Sequence, residues 1–351
     1  MTAPASEQLT YTEALTLAAA LYATAKAPKT PVPVETLAAT ARAAAAAMVR
    51  IETATVDAVL ALWRRTNPYD DAAVTRFATE AGRVLIPAQR QVAQITAVVQ
   101  TRTFAAAGTP IQVSPTIPDD VRGTLPMLAA PDAEIPDTPS REPEVPRRAR
   151  VRIDYPDGER TVSSEESRTS RVLVRPAAQY RYVRSQGRSH VEASAAAESR
   201  ARVIVDGNLQ VARALIENRA MDQTVDLDRE VIGYRRIIHP ELSQGGVCGM
   251  CVVAADRIYR IGELKAIHGR CKCTVAPVFS DFDPGGQLNG QDLDELYKAA
   301  GGNTINKLSR VRYRVIQHSE LGPMLRSEKG VHVPYLTAPP EFSRTPELAS
   351  A

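Results

Sequence analysis

Cys248-Gly249-Met250-Cys251, followed after sixteen residues by His268-Gly269-Arg270-Cys271-Lys272-Cys273, is the stretch around which the second half of this chain must organise itself. All four cysteines of the 351 residues fall within these 26 positions. A Cys-x-x-Cys pair lets two thiolates reach one ion from a tight turn, and Gly245, Gly246 and Gly249 give that turn backbone freedom. A second pair from a later strand or loop would complete a tetrahedron of the S and N ligands that structural zinc prefers. Cys248, Cys251, His268, Cys271 and Cys273 are five candidates for four places. A Cys-x-Cys pair reaches one ion less comfortably than Cys-x-x-Cys. So either His268 is a ligand and one of Cys271 and Cys273 is not, or His268 stands behind the ligands. Two disulfides in one of three connectivities remain an alternative. So does redox chemistry, although no thioredoxin-like strand-helix context surrounds the motif. In every case the segment staples a module too small to hold itself together.

Upstream, the chain reads as helix. Apolar residues make up 44% of the composition but aromatics only 5%, with a single Trp63, so alanine carries much of the apolar content. Alanine favours helix and builds thin cores. Tyr11, Leu15, Ala18 and Tyr22 recur at helical spacing, and the three prolines between Lys26 and Pro33 end that helix. A second helix is expected from near Val34, with Met48, Ile51, Thr55, Val59 and Leu62 on one face, broken at Asn67-Pro68. A third is expected from Asp71, with Val74, Phe77, Ala81 and Leu85 inward. Pro87 should kink or split it, and Val92, Ile95 and Val99 carry the stripe onward. Such positions are the core of a helical bundle.

Composition then changes. Nine prolines lie between 110 and 146 among many Asp, Glu, Ser and Thr. This predicts a flexible linker over 109–170, with a short hairpin around Tyr155-Pro156-Asp157-Gly158. Order should resume near Val172. Ser189 and Glu192 fit a capping box opening a long helix. Val205, Leu209, Ala212 and Ile216 mark its buried face, and Asn218 with the polar stretch after it should end it. Glu230–Ile238 reads as a strand closed by Pro240. The expected organisation is a mainly α protein with a small α+β module: helices over 1–108, linker 109–170, a helical segment 171–225, the Cys/His module 226–280, and a C-terminal extension 281–351.

Charge excludes little. The net charge of +3 balances 43 basic against 40 acidic residues, so nucleic-acid contact would need a local patch. Arg235, Arg236, Arg257, Arg260, Lys265, Arg270 and Lys272 make the module locally basic. Arg235, Arg236, Arg270 and Lys272 are its candidates for non-specific DNA contact, Arg235 and Arg236 being on opposite faces of a strand. An ordinary solvated surface is the competing reading, given Asp256 and Glu263 nearby. No run approaches a membrane span and no secretory signal opens the chain, which predicts a protein kept in a cytosol with reduced cysteines. No phosphate loop of the Gly-x-x-x-x-Gly-Lys-Ser/Thr kind occurs, so no ATPase of that kind is expected.

Several strings of the second half together carry a resemblance. Gly233-Tyr-Arg-Arg-Ile-Ile-His239-Pro240, the Cys248–Cys251 pair, Asp256-Arg257-Ile258-Tyr259 and His268-Gly-Arg-Cys-Lys-Cys-Thr274-Val275 together resemble the central string of MuF-like minor capsid proteins of tailed phages. The branch is that found in phages of actinobacteria. His318-Ser-Glu320-Leu321-Gly322-Pro323-Met324-Leu325 is similar to that branch's C-terminal signature. The likeness covers about residues 176–330. It implies a protein of the phage head, present in host cytoplasm during assembly, that associates with the portal and with capsid or scaffold proteins. It implies a part in procapsid assembly and in DNA packaging or delivery. Proteins of this branch are also often labelled capsid maturation proteases. A protease needs a nucleophile and a base in reach. Ser243 lies four residues after His239, and Ser189 is next to His190, but neither sits in a Gly-x-Ser-x-Gly turn. No His-Glu-x-x-His helix is present. His239 reads as a capping or packing residue, and His318 and His332 as lone exposed histidines. A thiol protease pairing Cys271 with His268 would be unusual at that spacing. Protease and plain DNA-binding zinc module stand as the alternatives to a structural head protein.

Overall fold

The computed structural model describes residues 12, 13, 16, 34–124, 150–155, 158–163, 168–224, 231–239, 249–259, 272–299, 313–318 and 322–327. Of the first expected helix, Thr12, Glu13 and Thr16 are helical, and the rest lies outside the described residues. Helix α1 spans Val34–Trp63 and buries Ile51, Thr55 and Val59, with Met48 and Leu62 partly covered. Helix α2 spans Asp71–Ala106, where the sequence places its start. Asp70 caps it: Oδ1 accepts from the amides of Ala72 (2.9 Å) and Ala73 (3.2 Å), satisfying donors that have no partner inside a helix. Across the turn, Trp63 meets Phe77 edge to face at 5.4 Å.

The expected break at Pro87 does not divide α2, which is one helix through that residue. Proline removes one hydrogen bond to the carbonyl four residues back. Leu85, Ala88 and Gln89 on either side are all buried, so packing holds the helix where the backbone is weakest. Gly108, at φ 75, ends the run in the left-handed conformation, with the Thr109 amide reaching back to the Phe104 carbonyl.

Short helices α3 (Thr169–Val172) and α4 (Arg175–Ser185) lead into α5 (His190–Asp222). The capping box at Ser189 and Glu192 is complete, and its hydrogen bonds hold the Glu192 carboxyl below the usual range. Val205, Leu209, Ala212 and Ile216 are buried as the sequence predicts. Helix α5 continues four residues past Asn218, to Asp222. More consequentially, every residue from Ile204 to Ala212 is buried, so α5 is covered on all sides. Its polar members are bonded to one another and to neighbours. Gln89 Nε2 donates to Asn208 Oδ1 at 3.1 Å, and Asn208 Nδ2 donates to the Ile204 carbonyl at 2.8 Å.

One apolar core joins α1, α2, α4 and the first two-thirds of α5. The boundaries drawn at 108 and 171 therefore do not divide the core. Residues 109–124, read from composition as the start of a flexible linker, are packed. Val113, Val121 and Arg122 are fully buried. Asp120 accepts from the Thr169 amide at 3.0 Å, and Arg219 donates to the carbonyls of Ser114 and Thr116. Prolines kept this strap from forming regular structure, but two valines and borrowed hydrogen bonds fix it. Further along, β1 (Arg150–Tyr155) and β2 (Gly158–Ser163) pair antiparallel with Tyr155 opposite Gly158, the expected hairpin.

The second unit is a three-stranded antiparallel sheet in the order β4 (Ile258–Tyr259), β3 (Val231–Ile237), β5 (Thr274–Phe279). Helix α6 (Gly249–Ala255) and helix α7 (Pro284–Ala299) pack on it. All of β5 is buried. Its far side meets the bundle, where Gln100 Nε2 donates to the Val275 carbonyl at 2.7 Å and Phe104 meets Phe279 edge to face. A last antiparallel hairpin joins β6 (Tyr313–His318) and β7 (Gly322–Ser327). The protein is thus mainly α with a small α+β module. No helix among the described residues is long and apolar enough to cross a membrane.

Gly233 is where β4 comes closest. A Cβ there would lie 2.5 Å from the Tyr259 carbonyl oxygen and 2.6 Å from Ile258 Cγ2. Gly233→Ala should push β4 off the sheet and cost about 1–3 kcal/mol. The expected result in urea unfolding is a lower midpoint with an unchanged slope; an unchanged midpoint would show that β4 yields freely.

Candidate Cys/His site and its supporting clamp

Cys251 lies within α6, and Cys273 immediately precedes β5; both thiols are buried. Cys248, His268 and Cys271 lie outside the described residues. Among the described residues no three His, Cys, Asp or Glu side chains form a group able to hold a metal. Only Cys251 and Cys273 of the five candidate ligands are among those described residues.

What the described residues do fix is the frame that carries both thiols. Strand β3 is its axis: Arg236 pairs with Val275 and Ile237 with Thr274 on β5, while Tyr234 pairs with Tyr259 on β4. Asn289 of α7, fully buried, ties the end of β3 to α6. Its Oδ1 accepts from the Ile238 amide at 2.9 Å. Its Nδ2 donates to the Arg236 carbonyl at 2.6 Å and lies 3.4 Å from the Ala255 carbonyl. One side chain thereby satisfies a strand end and the last carbonyl of the Cys251 helix. Asp283 caps α7 through the Gly286 amide (2.7 Å), with Pro284 in the first helical position. Its other oxygen takes Arg235 Nε at 2.7 Å, and Arg235 Nη1 donates to the Ala255 carbonyl at 3.2 Å.

Of the four residues named for DNA contact three are turned inward, whereas Arg257 of the wider basic set is exposed. Arg235 is engaged by Asp283 and Ala255. Arg236 is 3% exposed and stands 5.5 Å from the centre of the Tyr259 ring. Lys272 pairs with Glu52 of α1. The fourth, Arg270, lies outside the described residues. The strand alternation was read correctly, but both of its faces are covered. Burial pushes the Tyr259 phenol above its usual range against the pull of the Arg236 charge, and Cys273 is close enough to add to the rise. Beside this junction a cavity of about 30 Å3, lined in part by Glu52, Asp206, Arg213 and Lys272, has room for about one water.

Among the described residues weighed for proteolysis, Ser189, His190 and His239 are held in structural contacts. Ser189 Oγ accepts from the Glu192 amide and lies 2.9 Å from a Glu192 oxygen. His190 Nδ1 is 2.7 Å from the Tyr180 hydroxyl. His239 is buried with Nε2 3.0 Å from Thr274 Oγ1, which fits the packing role read for it. His318 closes β6, and Ser243 and His332 are outside the described residues. Asn289 and Glu52 were missed because an Asn within a helix and a Glu on a helix carry no sign of their partners. Asp283-Pro284 did carry one, since Asp before Pro is a helix-start signal.

Compared with protein-family models, with curated proteins and with solved structures, the chain matches none.

Asn289→Ala would strand the Ile238 amide and the Arg236 carbonyl in a buried place. Each unsatisfied group costs about 1–3 kcal/mol, so a loss of at least about 2 kcal/mol is expected. In hydrogen exchange the amides of β3 and α6 should lose protection before those of α1. Uniform loss across both would mean that Asn289 supports the whole fold equally.

Proposed function

We propose that this protein is a minor head protein of a tailed phage, of the MuF-like kind, associating with the portal during procapsid assembly and acting in DNA packaging or delivery. The observation that carries the reading is the motif string from Gly233 to Val275. Its described parts form one unit: Gly233–Ile237, Ile258–Tyr259 and Thr274–Val275 are strands of a single sheet, and Cys251 rides on the helix packed against it. Residues scattered over more than forty positions are thus joined in one small body, as expected of a motif with a shared structural task. The role is structural. Ser189 and His239, two of the residues weighed as nucleophile and base, are held in a cap and in a buried contact with Thr274.

Within that reading, Cys248, Cys251, His268, Cys271 and Cys273 supply the ligands of a structural zinc ion. The donor chemistry fits: two of the thiols are buried at the ends of the elements that β3 holds together, and zinc accepts four S or N ligands without an open position. Protein purified under reducing conditions should carry about one zinc per chain. Cys248→Ser should lose the metal and melt at lower temperature. Absence of zinc in wild-type protein would remove the metal and leave thiols or disulfides as the staple.

The head assignment has its own test. Co-expressed with the portal, major capsid and scaffold proteins of its phage, the chain should sediment with procapsids, and with portal alone it should co-purify. Failure of both removes the reading. Cleavage of a co-expressed capsid protein, abolished by one Ser, Cys or His substitution, would replace it with the maturation-protease alternative.

A further inference from the structure

We propose that the outer surface formed by α3, α4 and the turn into α5 is a binding face for the DNA backbone. Between residues 168 and 191 the chain has six arginines (Arg168, Arg171, Arg175, Arg181, Arg184 and Arg188) and no Asp, Glu or Lys. The whole chain balances 43 basic against 40 acidic residues, so this run is a local concentration and not a reflection of bulk composition. It is also all arginine, whose planar fork matches phosphate oxygens two at a time.

The fold turns this segment outward. Helix α4 packs through Pro176, Ala177 and Tyr180, all buried. The opposite side carries Tyr182, which is 62% exposed. Its hydroxyl is a donor of the kind that contacts phosphate oxygens of duplex DNA. Arg171, Arg184 and Arg188 are exposed, and Arg184 donates one guanidinium N–H to the Arg188 carbonyl at 2.6 Å. Arg181 pairs with Asp71 at 2.6 Å and Arg188 with Glu192 at 3.4 Å. Nearby Glu198 is engaged through both oxygens by Arg64 of α1 and is not aimed at this face. Eleven residues of helix are about 16 Å long, close to the axial rise of about five base pairs. By contrast, Arg235, Arg236 and Lys272 are spent inside the protein.

The inference rests on the phage-head reading for the identity of the polyanion as DNA; the charge argument stands apart from it. Binding to a DNA face of this kind is sequence-independent and weakens steeply with salt. The test is fluorescence anisotropy of the full-length protein with a labelled duplex of about 30 base pairs of arbitrary sequence, titrated from about 50 to about 200 mM NaCl. Arg171→Glu with Arg184→Glu should weaken binding at least about tenfold and make the salt dependence shallower by about two contacts. Tyr182→Phe, which removes only the hydroxyl that would reach a phosphate, should weaken it by about twofold or more. Arg171→Glu alone, at an exposed side chain, should leave the melting temperature unchanged and still weaken binding. Arg42→Glu with Arg50→Glu, exposed on α1, makes the same change in net charge and should leave affinity within about twofold. The proposal falls if wild-type protein does not bind the duplex, if the α3–α4 variant binds as well as wild type, or if the α1 control loses as much. It also falls if vesicles rich in anionic lipid, or polyglutamate, bind as tightly as DNA. Portal co-purification is scored separately, so a failed DNA test with intact portal association removes this surface alone.

Discussion

Strand β5 is buried on both faces, and the second half of the molecule is arranged around that constraint. A three-stranded sheet of this size cannot enclose a core by itself. Here it uses the end of the bundle as its other half: Phe279 joins Phe104, Ala97, Ile216 and Ala220 in one cluster. Once β5 is committed on that side, β3 must cover its free edge, and α7 and α6 must cover β3. The buried polar ends that this layering creates converge on Asn289. The apolar run Thr274–Phe279 is what a strand covered on both sides looks like in sequence.

Much of the first half was legible because helical burial has a period. The stripe through Val74, Phe77, Ala81 and Leu85 is buried as the sequence predicts, and the Ser189–Glu192 cap is present. Two features defeated that method. Around Ile204–Ala212 burial is continuous, so no stripe exists to be read, and the polar residues Asp206, Asn208 and Gln210 look like a solvated face. The prolines from 110 onward signal absence of regular structure, and absence of regular structure was equated with absence of packing. Val113 and Val121 show the difference, since a strap needs only a few anchoring side chains. Of the Cys/His stretch, sequence offers five candidate ligands. It could not identify the frame, because Asn289 and Glu52 act on partners far away in the chain.

Charge shows the same limitation from the other side. Arg235 and Arg236 stand beside the cysteines and look like a patch, yet at these two positions the middle strand of the sheet is covered. Their guanidinium groups instead act as long hydrogen-bond donors inside the module, reaching Asp283, the Ala255 carbonyl and the Tyr259 ring. Arginine suits this because its charge persists and its stem packs against apolar neighbours. The arginines of α3 and α4 differ in setting, not in type: they lie on short helices that pack by one side only.

The eight residues from Lys272 to Phe279 bind the two halves together through successive, different contacts. Lys272 reaches Glu52 on α1, the Val275 carbonyl receives Gln100 from α2, and Phe279 meets Phe104 edge to face. Cys273 stands second in this run. A change of state at that thiol therefore acts on a strand that cannot move without breaking polar contacts to two bundle helices. Those contacts are buried or partly buried, where lost hydrogen bonds are costly. Coupling of this kind needs no long relay, because Cys273 and the residues bonded to the bundle belong to one short piece of backbone. It also explains why a module with so little core of its own can be placed at the end of an alanine-rich bundle: each half supplies the packing surface that the other lacks.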